Sequence, residues 1–574
     1  MEQSLTVQTE RIDDLPVLLC QLEKMGIPSL LDHHFPVHGN WQGLSLGQVV
    51  SVWLCHILTE GDHCLDHVRP WVGQRLESLR ILVGEELSEL DFSDDRLANI
   101  LTILSDWDSW EQFEKDLNQR VLRVFDLESF CIRHDSTTSS SFRSVGEEIS
   151  SLFQLGHSKD HRPDLPQLKV MLASLDPMGM PLATEVLPGN WADDPLYVSS
   201  IKRVQESLES KGLLHVGDSK MSSTESRAYI VFSGDVYLCP LSRKQFSEEQ
   251  LQNSIQAALA DEEDFSEVYR TDAKGKRKLI ARGFEQQRAM TAETDGVAFG
   301  WKERLFIVRS SQHTERSEQA LLKRLQKAQN ELEKLNERGR GKRRPQNRED
   351  LNEVIKKIIN HRKSNSFLEV TIEEIVTEQK LRAHKERPAT VRQHWDFRLS
   401  VTRNQANIDQ QVQSLGWQVY ATPLLPQEFS LEQAVLCYRN EFRVEHNFSR
   451  IKGPLSLRPM YLAREDRIEG LVHLLSIALR PLSLVEFKVR EELEKRDEPI
   501  QGLYPGNPKR ATSRPTTEKL LQAFKEVNLT VIRQPQQTLF YLNDLSQLQI
   551  KILDLMGLSP DCYYRLRDIF LNST

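Results

Sequence analysis

The sequence predicts an α/β fold, because a block of amphipathic helices is followed by strand, strand, strand, helix and strand. Apolar residues at spacings of three and four indicate the helices up to about residue 125. Short apolar runs between residues 128 and 217 indicate the strands. In this order the fourth strand is expected to lie parallel beside the first. We therefore predict a mixed sheet near the middle of the chain.

The composition is typical of a large intracellular protein. At about 100–200 residues per domain, 574 residues suggest several domains. Seven cysteines are too few for a disulfide scaffold and indicate reduced thiols. The polar start lacks the order of a signal peptide, and no apolar run approaches the ~20 residues of a membrane helix. The net charge of −9 excludes a uniformly basic coat but permits a local basic surface for DNA.

Changes in composition and in apolar periodicity along the chain predict five regions. The first helices include SLGQVVSVWLCHIL, for which Ser45 is the expected N-cap. A leucine seam at 321–335, a basic connection and a second helix predict a helical hairpin inside a β-rich segment. The predicted regions are a helical N-terminal domain (1–125), a first core part (126–235), a β-rich insertion with the hairpin (236–410), a second core part (411–480) and a helical C-terminal region (481–574).

Two acidic residues are candidates for metal ligands. Asp135 in IRHDSTTSS and Asp218 in LLHVGDSKM are each expected at the carboxyl end of a strand. Ends of neighbouring parallel strands meet at one edge of a sheet, so the two carboxylates should lie side by side. Close carboxylates repel unless a divalent cation lies between them. The alternative is that each Asp caps the turn after its strand.

A third candidate lies on a long helix predicted from Ser430 to Gly453. Tyr438, Glu445 and Lys452 are spaced by seven residues and therefore share one face of a continuous helix, with Glu441 one turn before Glu445. Such a Glu could share a metal ion with two strand carboxylates, while the Lys contacts a phosphate. The alternative is an amphipathic surface helix.

These motifs resemble the DDE transposases of bacterial insertion sequences. The segments IRHDSTTSS, LLHVGDSKM and YRNEFRVEHNFSRIKGPLSLRPMYL carry the resemblance, which is strongest to the branch with a Y-(2)-R-(3)-E-(6)-K signature (insertion-sequence family four and its relatives). Tyr438, Glu445 and Lys452 match Y, E and K. Glu441 stands at the R position, and Arg439 or Arg443 nearby would take over its phosphate contact. GHSKDHRPDLPQLKVML and TEGDHCLDHVRPW are also similar to that family.

The resemblance implies an RNase H-like catalytic core interrupted by the β-rich insertion. Asp135, Asp218 and Glu445 would hold two Mg²⁺ ions, which Mn²⁺ can replace. The expected activity is cleavage at transposon ends followed by joining of the 3′-OH to target DNA. Expected partners are double-stranded DNA, with terminal inverted repeats and target, and a second copy of the chain when DNA is bound. The expected location is the bacterial cytoplasm, at the nucleoid when bound to DNA.

Other readings of the sequence remain open. One is an inactive DNA-binding or scaffold relative with the same fold, and another is a host nuclease that needs no specific ends. Cys55, His56, His63, Cys64 and His67 are zinc-type ligands, but their spacing matches no finger pattern. The basic run 338–348 could follow a DNA backbone or be a solvated loop, and Trp301 and Trp417 could stack on a base or lie in a core.

Overall fold

The protein has an α/β fold built on a nine-stranded mixed sheet. A computed structural model describes residues 5–84, 86–145, 148, 151–260, 265–271, 275–337, 347–381, 390–455, 457–458, 460–534, 537–567 and 570–572. The prediction of an α/β class with a mixed sheet is confirmed.

Helices dominate the N-terminal part, as the apolar periodicity predicts. Ser45 caps its helix by accepting a hydrogen bond from the Gln48 amide, so the predicted N-cap is confirmed. Gly26 ends the first helix at a φ of 80°, which favours glycine. The elements are β1 (Thr6–Arg11), α1 (Leu15–Met25), α2 (Ile27–His34), α3 (Leu46–Glu60), α4 (Leu65–Gly73), α5 (Leu76–Val83), α6 (Asp94–Leu104) and α7 (Trp107–Val124).

The first core segment supplies five strands of the large sheet. They lie in the order β4-β3-β2-β5-β6, with β2 parallel to β5 and β5 parallel to β6. The predicted parallel pairing of the first and fourth strands in chain order, β2 and β5, is therefore confirmed. The elements are β2 (Cys131–Ser140), β3 (Gln167–Asp176), β4 (Met180–Pro188), α8 (Leu196–Leu208), β5 (Leu214–Gly217), α9 (Thr224–Phe232) and β6 (Val236–Pro240).

The β-rich segment continues the same sheet. Beyond β6 the order runs β12-β9-β8-β7, while β10 and β11 pair separately as a two-stranded ribbon. The predicted helical hairpin is α11 and α12, with the leucine seam of α11 buried. The elements are α10 (Glu248–Ala260), β7 (Ser266–Thr271), β8 (Arg277–Thr294), β9 (Val297–Ser310), α11 (Ser311–Glu333), α12 (Arg348–His361), β10 (Leu368–Leu381), β11 (Thr390–Arg403), α13 (Gln405–Ser414) and β12 (Trp417–Thr422).

The C-terminal part contains the predicted helices and also three strands that the sequence analysis missed. Strand β13 pairs with β1, so a four-stranded sheet β1-β13-β14-β15 joins the two ends of the chain. The elements are α14 (Leu431–Tyr438), α15 (Phe442–Lys452), α16 (Glu465–Arg496), α17 (Thr517–Gln522), β13 (Asn528–Arg533), β14 (Gln537–Leu542), α18 (Gln547–Leu555), α19 (Asp561–Tyr564) and β15 (Phe570–Asn572).

Helix α16 is the central helix of the core. It packs against α6 and β4. By length and composition alone it could cross a membrane, which corrects the statement that no apolar run is long enough, but 94% of the apolar window is buried inside the protein. A largely buried apolar helix is what the core of a large domain requires.

A buried ion network connects α7, α8, β4 and α16. Glu114 of α7 accepts hydrogen bonds from Arg203 Nη2 at 2.7 Å and Arg480 Nη2 at 2.9 Å. It also accepts one from the Thr184 amide at 3.2 Å. All three charged side chains are buried. The network therefore fixes the helical N-terminal part and α16 to the sheet.

Glu114→Gln is expected to lower the free energy of unfolding by about 3–5 kcal/mol, because it removes the nearest carboxylate from two buried guanidinium groups. The measurement is urea denaturation followed by circular dichroism. The matched control is Glu206→Gln on α8, whose exposed contact with Lys202 spans 3.9 Å and is worth at most about 1 kcal/mol. Equal effects of the two substitutions would contradict the assigned role of the network.

Candidate functional site

The strand register places Asp135 and Asp218 next to each other. The parallel pairing of β2 and β5 ends with His134 opposite Gly217. Asp135 is the next residue of β2, and Asp218 directly follows the last residue of β5, so both lie at the carboxyl end of that pairing. Parallel neighbours lie about 4.8 Å apart in a sheet. The two carboxylates therefore meet at the position that the sequence analysis expected.

The expected end of β2 at Asp135 is wrong. Strand β2 continues to Ser140 because its hydroxyl residues stay paired with β3, from Asp135 opposite Leu172 to Ser140 opposite Gln167. Small and β-branched hydroxyl side chains fit a pleated strand, so the polar run did not mark a loop. Asp135 thus lies in mid-strand, at the point where β5 ends.

In each carboxylate one oxygen is engaged and the other is available. Asp135 Oδ1 accepts from the Ser136 amide at 2.7 Å and from Lys159 Nζ at 3.1 Å. Asp218 Oδ1 accepts from Tyr197 Oη at 2.7 Å and from the Lys220 amide at 2.8 Å. Neither Oδ2 accepts a hydrogen bond from any residue that the structure describes. These two hard oxygen atoms suit a Mg²⁺ or Mn²⁺ ion.

The surroundings change the pKa values of these groups. Burial raises the pKa of Asp135; the nearby Asp218 carboxylate raises it further, while Lys159 opposes the shift. Burial and the two carboxylates also raise the pKa of Tyr197, which keeps its hydroxyl as a donor to Asp218. Such shifts are common where charged groups are assembled for function.

A third carboxylate lies beside this pair but is already neutralised. Asp193 Oδ1 accepts from Lys169 Nζ at 2.5 Å and from Ser136 Oγ at 3.2 Å. Burial alone would raise its pKa, but Lys169 holds the pKa of Asp193 below its usual value. Asp193 is therefore a structural ion pair at the edge of the site.

A buried series of hydrogen-bonded polar side chains connects the strands that carry the two carboxylates. His134 Nε2 and His215 Nδ1 are 2.9 Å apart, and His215 Nε2 is 3.0 Å from Asp235 Oδ2. His134 Nδ1 also contacts Ser200 Oγ of α8 at 2.9 Å. These bonds cross from β2 to β5 and to the start of β6, and they fix the register that aligns the two carboxylates.

The predicted long helix is broken into two. Helix α14 ends at Tyr438, a 3₁₀ turn covers Arg439–Glu441, and α15 begins at Phe442. A 3₁₀ turn has about three residues per turn, so it changes the face on which later residues lie. The prediction that Tyr438 shares one face with Glu445 is therefore wrong, because a seven-residue spacing aligns residues only within a continuous α-helix.

The two candidate phosphate ligands before α15 contact protein groups. The Tyr438 ring packs against Tyr420 of β12 with ring centres 4.8 Å apart. Arg439 Nη2 donates to the Ile280 carbonyl at 3.1 Å and to Ser310 Oγ at 2.9 Å. The side chains of Glu441 and Arg443 lie outside the described residues.

Glu445 and Lys452 remain two turns apart on one side of α15. This helix packs against β2 and β3. The Glu445 side chain is exposed, and no hydrogen bond or ion pair joins it to a described residue. Lys452 Nζ instead binds Asp160 Oδ1 at 2.8 Å, and Arg458 binds the same carboxylate.

The three proposed ligands do not form a closed cluster. Within the described part of the chain, one set of three ligand atoms lies within 4.8 Å of one another, and it consists of Cys131, Asp176 and Cys437. The structure thus brings Asp135 and Asp218 together and places the helix of Glu445 on the same strands, without direct contact among all three carboxylates.

Sequence reasoning missed several charged residues around the site. Lys159 contacts Asp135, and Asp160 anchors Lys452 together with Arg458. Lys159 and Asp160 both occur in GHSKDHRPDLP, a segment that carries part of the family resemblance. The pairing of Asp160 with Lys452, 292 residues later, leaves no periodic signal in the sequence.

The other candidate residues from the sequence have structural contacts in the protein, or they lie outside the residues that the structure describes. In the cysteine–histidine group, Cys55 and His56 are buried, whereas exposed His67 pairs with Asp62. Trp417 lies in a hydrophobic core, and Trp301 Nε1 donates to Tyr237 Oη. Most of the basic run, 338–346, lies outside the described residues.

Comparisons with known proteins do not assign the chain to a family. No family model and no curated protein sequence matches the chain. It is similar to the piggyBac transposase in a cryo-EM structure of its synaptic complex with hairpin DNA, at 10% identity and a TM-score of 0.21. The match covers 51% of this chain and 57% of that one. A likeness of this size does not establish a shared fold, so the fold assignment depends on the strand order described above.

Asp135→Asn is expected to stabilise the protein at pH 7, because it removes a carboxylate whose pKa the folded state raises. Ionisation of Asp135 lowers the free energy of unfolding as the pH rises from the unfolded-state pKa of about 3.9 through the folded-state pKa. The loss is about 1.4 kcal/mol for each unit by which folding raises that pKa. Urea denaturation at several pH values measures the difference. The gain should shrink as the pH falls towards 4, and a gain independent of pH would contradict this assignment.

Proposed function

We propose that this protein is a DDE-type transposase that cuts DNA at transposon ends and joins the freed 3′-OH to target DNA. The observation that carries the proposal is that Asp135 and Asp218 each come one residue after the last paired position, His134 opposite Gly217, of two parallel strands. Each has a carboxylate oxygen that no described residue engages. Helix α15, with Glu445, packs on the same strand as Asp135 and on β3.

The central sheet order supports an RNase H-like core. Three antiparallel strands β4-β3-β2 are followed by β5 and β6, both parallel to β2. This is the arrangement that the resemblance implies for a core whose first and fourth strands lie side by side. The β-rich segment stands between Asp218 and Glu445 in the chain, as in that family.

Asp135, Asp218 and Glu445 are the residues that would hold two Mg²⁺ ions, with Mn²⁺ as a substitute. When bound, the ions would activate the attacking oxygen and stabilise the leaving oxygen of a phosphodiester exchange. The chain itself fixes the position of these ligands: Tyr197 and the Lys220 amide orient Asp218, while Lys159 and the Ser136 amide orient Asp135.

Cations beside the acids would bind the DNA backbone. Lys159 and Lys452 are partly exposed and lie around Asp135 and Asp160. Both are paired with carboxylates within the protein, so contact with a phosphate would exchange one anion for another. Arg439 and Arg443 are proposed as further backbone contacts near the start of α15. The proposed partners are terminal repeats, target DNA and a second copy of the chain, in the bacterial cytoplasm.

Asp218→Asn is expected to reduce nicking at the element's terminal repeats by more than about 100-fold, since changes to outer-sphere groups alone reach that size. Asparagine retains an oxygen that accepts hydrogen bonds from Tyr197 and the Lys220 amide, so the local structure should be kept. DNA binding should therefore persist. Glu445→Gln should behave in the same way, because its side chain makes no hydrogen bond or ion pair with a described residue. Gel assays of nicking and of DNA binding measure the two properties.

The matched control is Glu441→Gln, one turn before Glu445, which should retain measurable strand transfer. If Asp218→Asn cuts like the unaltered protein, the transposase proposal fails for this site. If the unaltered protein binds terminal repeats but never cuts in Mg²⁺ or Mn²⁺, the inactive DNA-binding relative is the correct function. Cleavage that ignores the end sequence would indicate a nuclease.

Lys452→Gln is expected to lower the salt dependence of DNA binding, because each phosphate contact releases about 0.9 counterions from duplex DNA. The slope of log affinity against log salt should therefore fall by about one. Fluorescence anisotropy across a salt series measures it. Lys202→Gln on the exposed side of α8 is the control, and an unchanged slope for Lys452→Gln would limit Lys452 to its ion pair with Asp160.

A further inference from the structure

A second cluster of ligand-type side chains lies at the start of β2. The sulfur atoms of Cys131 and Cys437 and a carboxylate oxygen of Asp176 all lie within 4.8 Å of one another. Cys131 begins β2 and is the direct cross-strand partner of Asp176 at the end of β3. Cys437 lies in the last turn of α14. Three separate elements thus bring one ligand each to this point.

We propose that Cys131, Cys437 and Asp176 form a binding site for a thiophilic divalent cation of the Zn²⁺ type. Zinc is bound by cysteine sulfur and carboxylate oxygen, commonly with three protein ligands and one position for water. Two sulfur ligands select against Mg²⁺, which prefers oxygen. All three residues are partly exposed, so an ion can reach them from solvent.

A buried arginine supplies the charge that such a site needs. The Arg133 side chain is 3% exposed, and its Nη2 donates to Asp176 Oδ2 at 2.8 Å and to the Cys437 carbonyl at 2.6 Å. Its Nε and Nη1 are buried and have no hydrogen-bond partner among the described residues. The guanidinium and a divalent ion together balance two thiolates and one carboxylate.

Arg133 also orients the proposed carboxylate ligand. Carboxylates that bind metals are usually hydrogen-bonded by a neighbouring residue, which fixes their direction. The donation to Asp176 Oδ2 therefore fixes the direction of the Asp176 carboxylate. Binding would deprotonate both thiols, so two protons pass to solvent for each ion bound. No oxidation takes place, and the cysteines stay reduced.

The site would fasten α14 to the start of β2. Cys131 lies four residues before Asp135 on one strand, and Cys437 lies eight residues before Glu445. An ion bound here would hold the 3₁₀ turn that leads into α15. This role is structural and does not depend on the proposed transposase activity, because neither thiol belongs to the proposed magnesium site.

The chain contains a matched control in a second pair of thiols. Cys20 and Cys562 are hydrogen-bonded to each other, and Arg565 Nη2 lies 3.7 Å from Cys20 Sγ. Among the described residues no third ligand within 4.8 Å completes this pair. It therefore has two thiols and an arginine but lacks the carboxylate of the proposed site.

The test is titration of the reduced full-length protein with Co²⁺ in the presence of excess Mg²⁺. We expect one equivalent to bind with a thiolate-to-cobalt charge-transfer absorption, and Zn²⁺ to displace it. Cys131→Ser and Cys437→Ser should each weaken binding by at least about 100-fold, since outer-sphere changes alone reach that value. Asp176→Asn should also weaken binding, whereas Cys20→Ser should leave it unchanged.

A second measurement needs no substitution. Stoichiometric Zn²⁺ should protect Cys131 and Cys437 from alkylation, while Cys20 remains as reactive as in the metal-free protein, as judged by peptide mass spectrometry. Absence of the charge-transfer band, its persistence in the double variant Cys131→Ser/Cys437→Ser, or its loss in Cys20→Ser would overturn the proposal. Because the band arises from sulfur ligands, the result is independent of any failure of DNA cleavage.

Discussion

The parallel pairing of β2 with β5 is the constraint on which the candidate site depends. Side chains at the same register position of parallel neighbours project to the same face of a sheet. A shift of one residue would place Asp135 and Asp218 on opposite faces. The buried contacts from His134 to His215 and on to Asp235 oppose that shift, because each histidine would lose a partner inside the protein.

The same pairing has an energetic cost. Two carboxylates meet where burial already raises the pKa of one of them. Lys159 compensates at Asp135, and the Tyr197 hydroxyl compensates at Asp218, but one oxygen of each carboxylate receives no hydrogen bond from the described residues. Proteins retain such unfavourable arrangements mainly where function requires them. The fold thus provides hard oxygen atoms in a fixed place.

The sequence predicted the parts of the fold that have a local signal. Strands β3 to β5 and helix α8 were recognised because apolar runs and turn residues bound them. Strand β2 was predicted too short, since its second half is polar and pairs with β3 alone among the described strands. Strand β13 was missed because one of its partners is β1, more than 500 residues earlier, and β14 was missed with it because it pairs with β13.

The candidate site was predictable in part for the same reason. Asp135 and Asp218 each follow a recognisable apolar run, so their approach could be inferred from strand order alone. The break at Arg439 could not, because a spacing of seven residues looks the same with or without a 3₁₀ turn between them. Lys159 and Asp160 gain their roles from partners on other elements, which no local pattern records.

Helix α15 is held on the sheet along its whole length by contacts from distant parts of the chain. Before its start, the Cys437 carbonyl accepts from Arg133; in its middle, Asn447 donates to Ser174 at 3.2 Å; at its end, Lys452 binds Asp160. The backbone of Glu445 is therefore fixed, while its exposed side chain keeps its rotamer freedom. For a group proposed to bind a metal ion, a fixed backbone limits the entropy lost on ordering to that of one side chain.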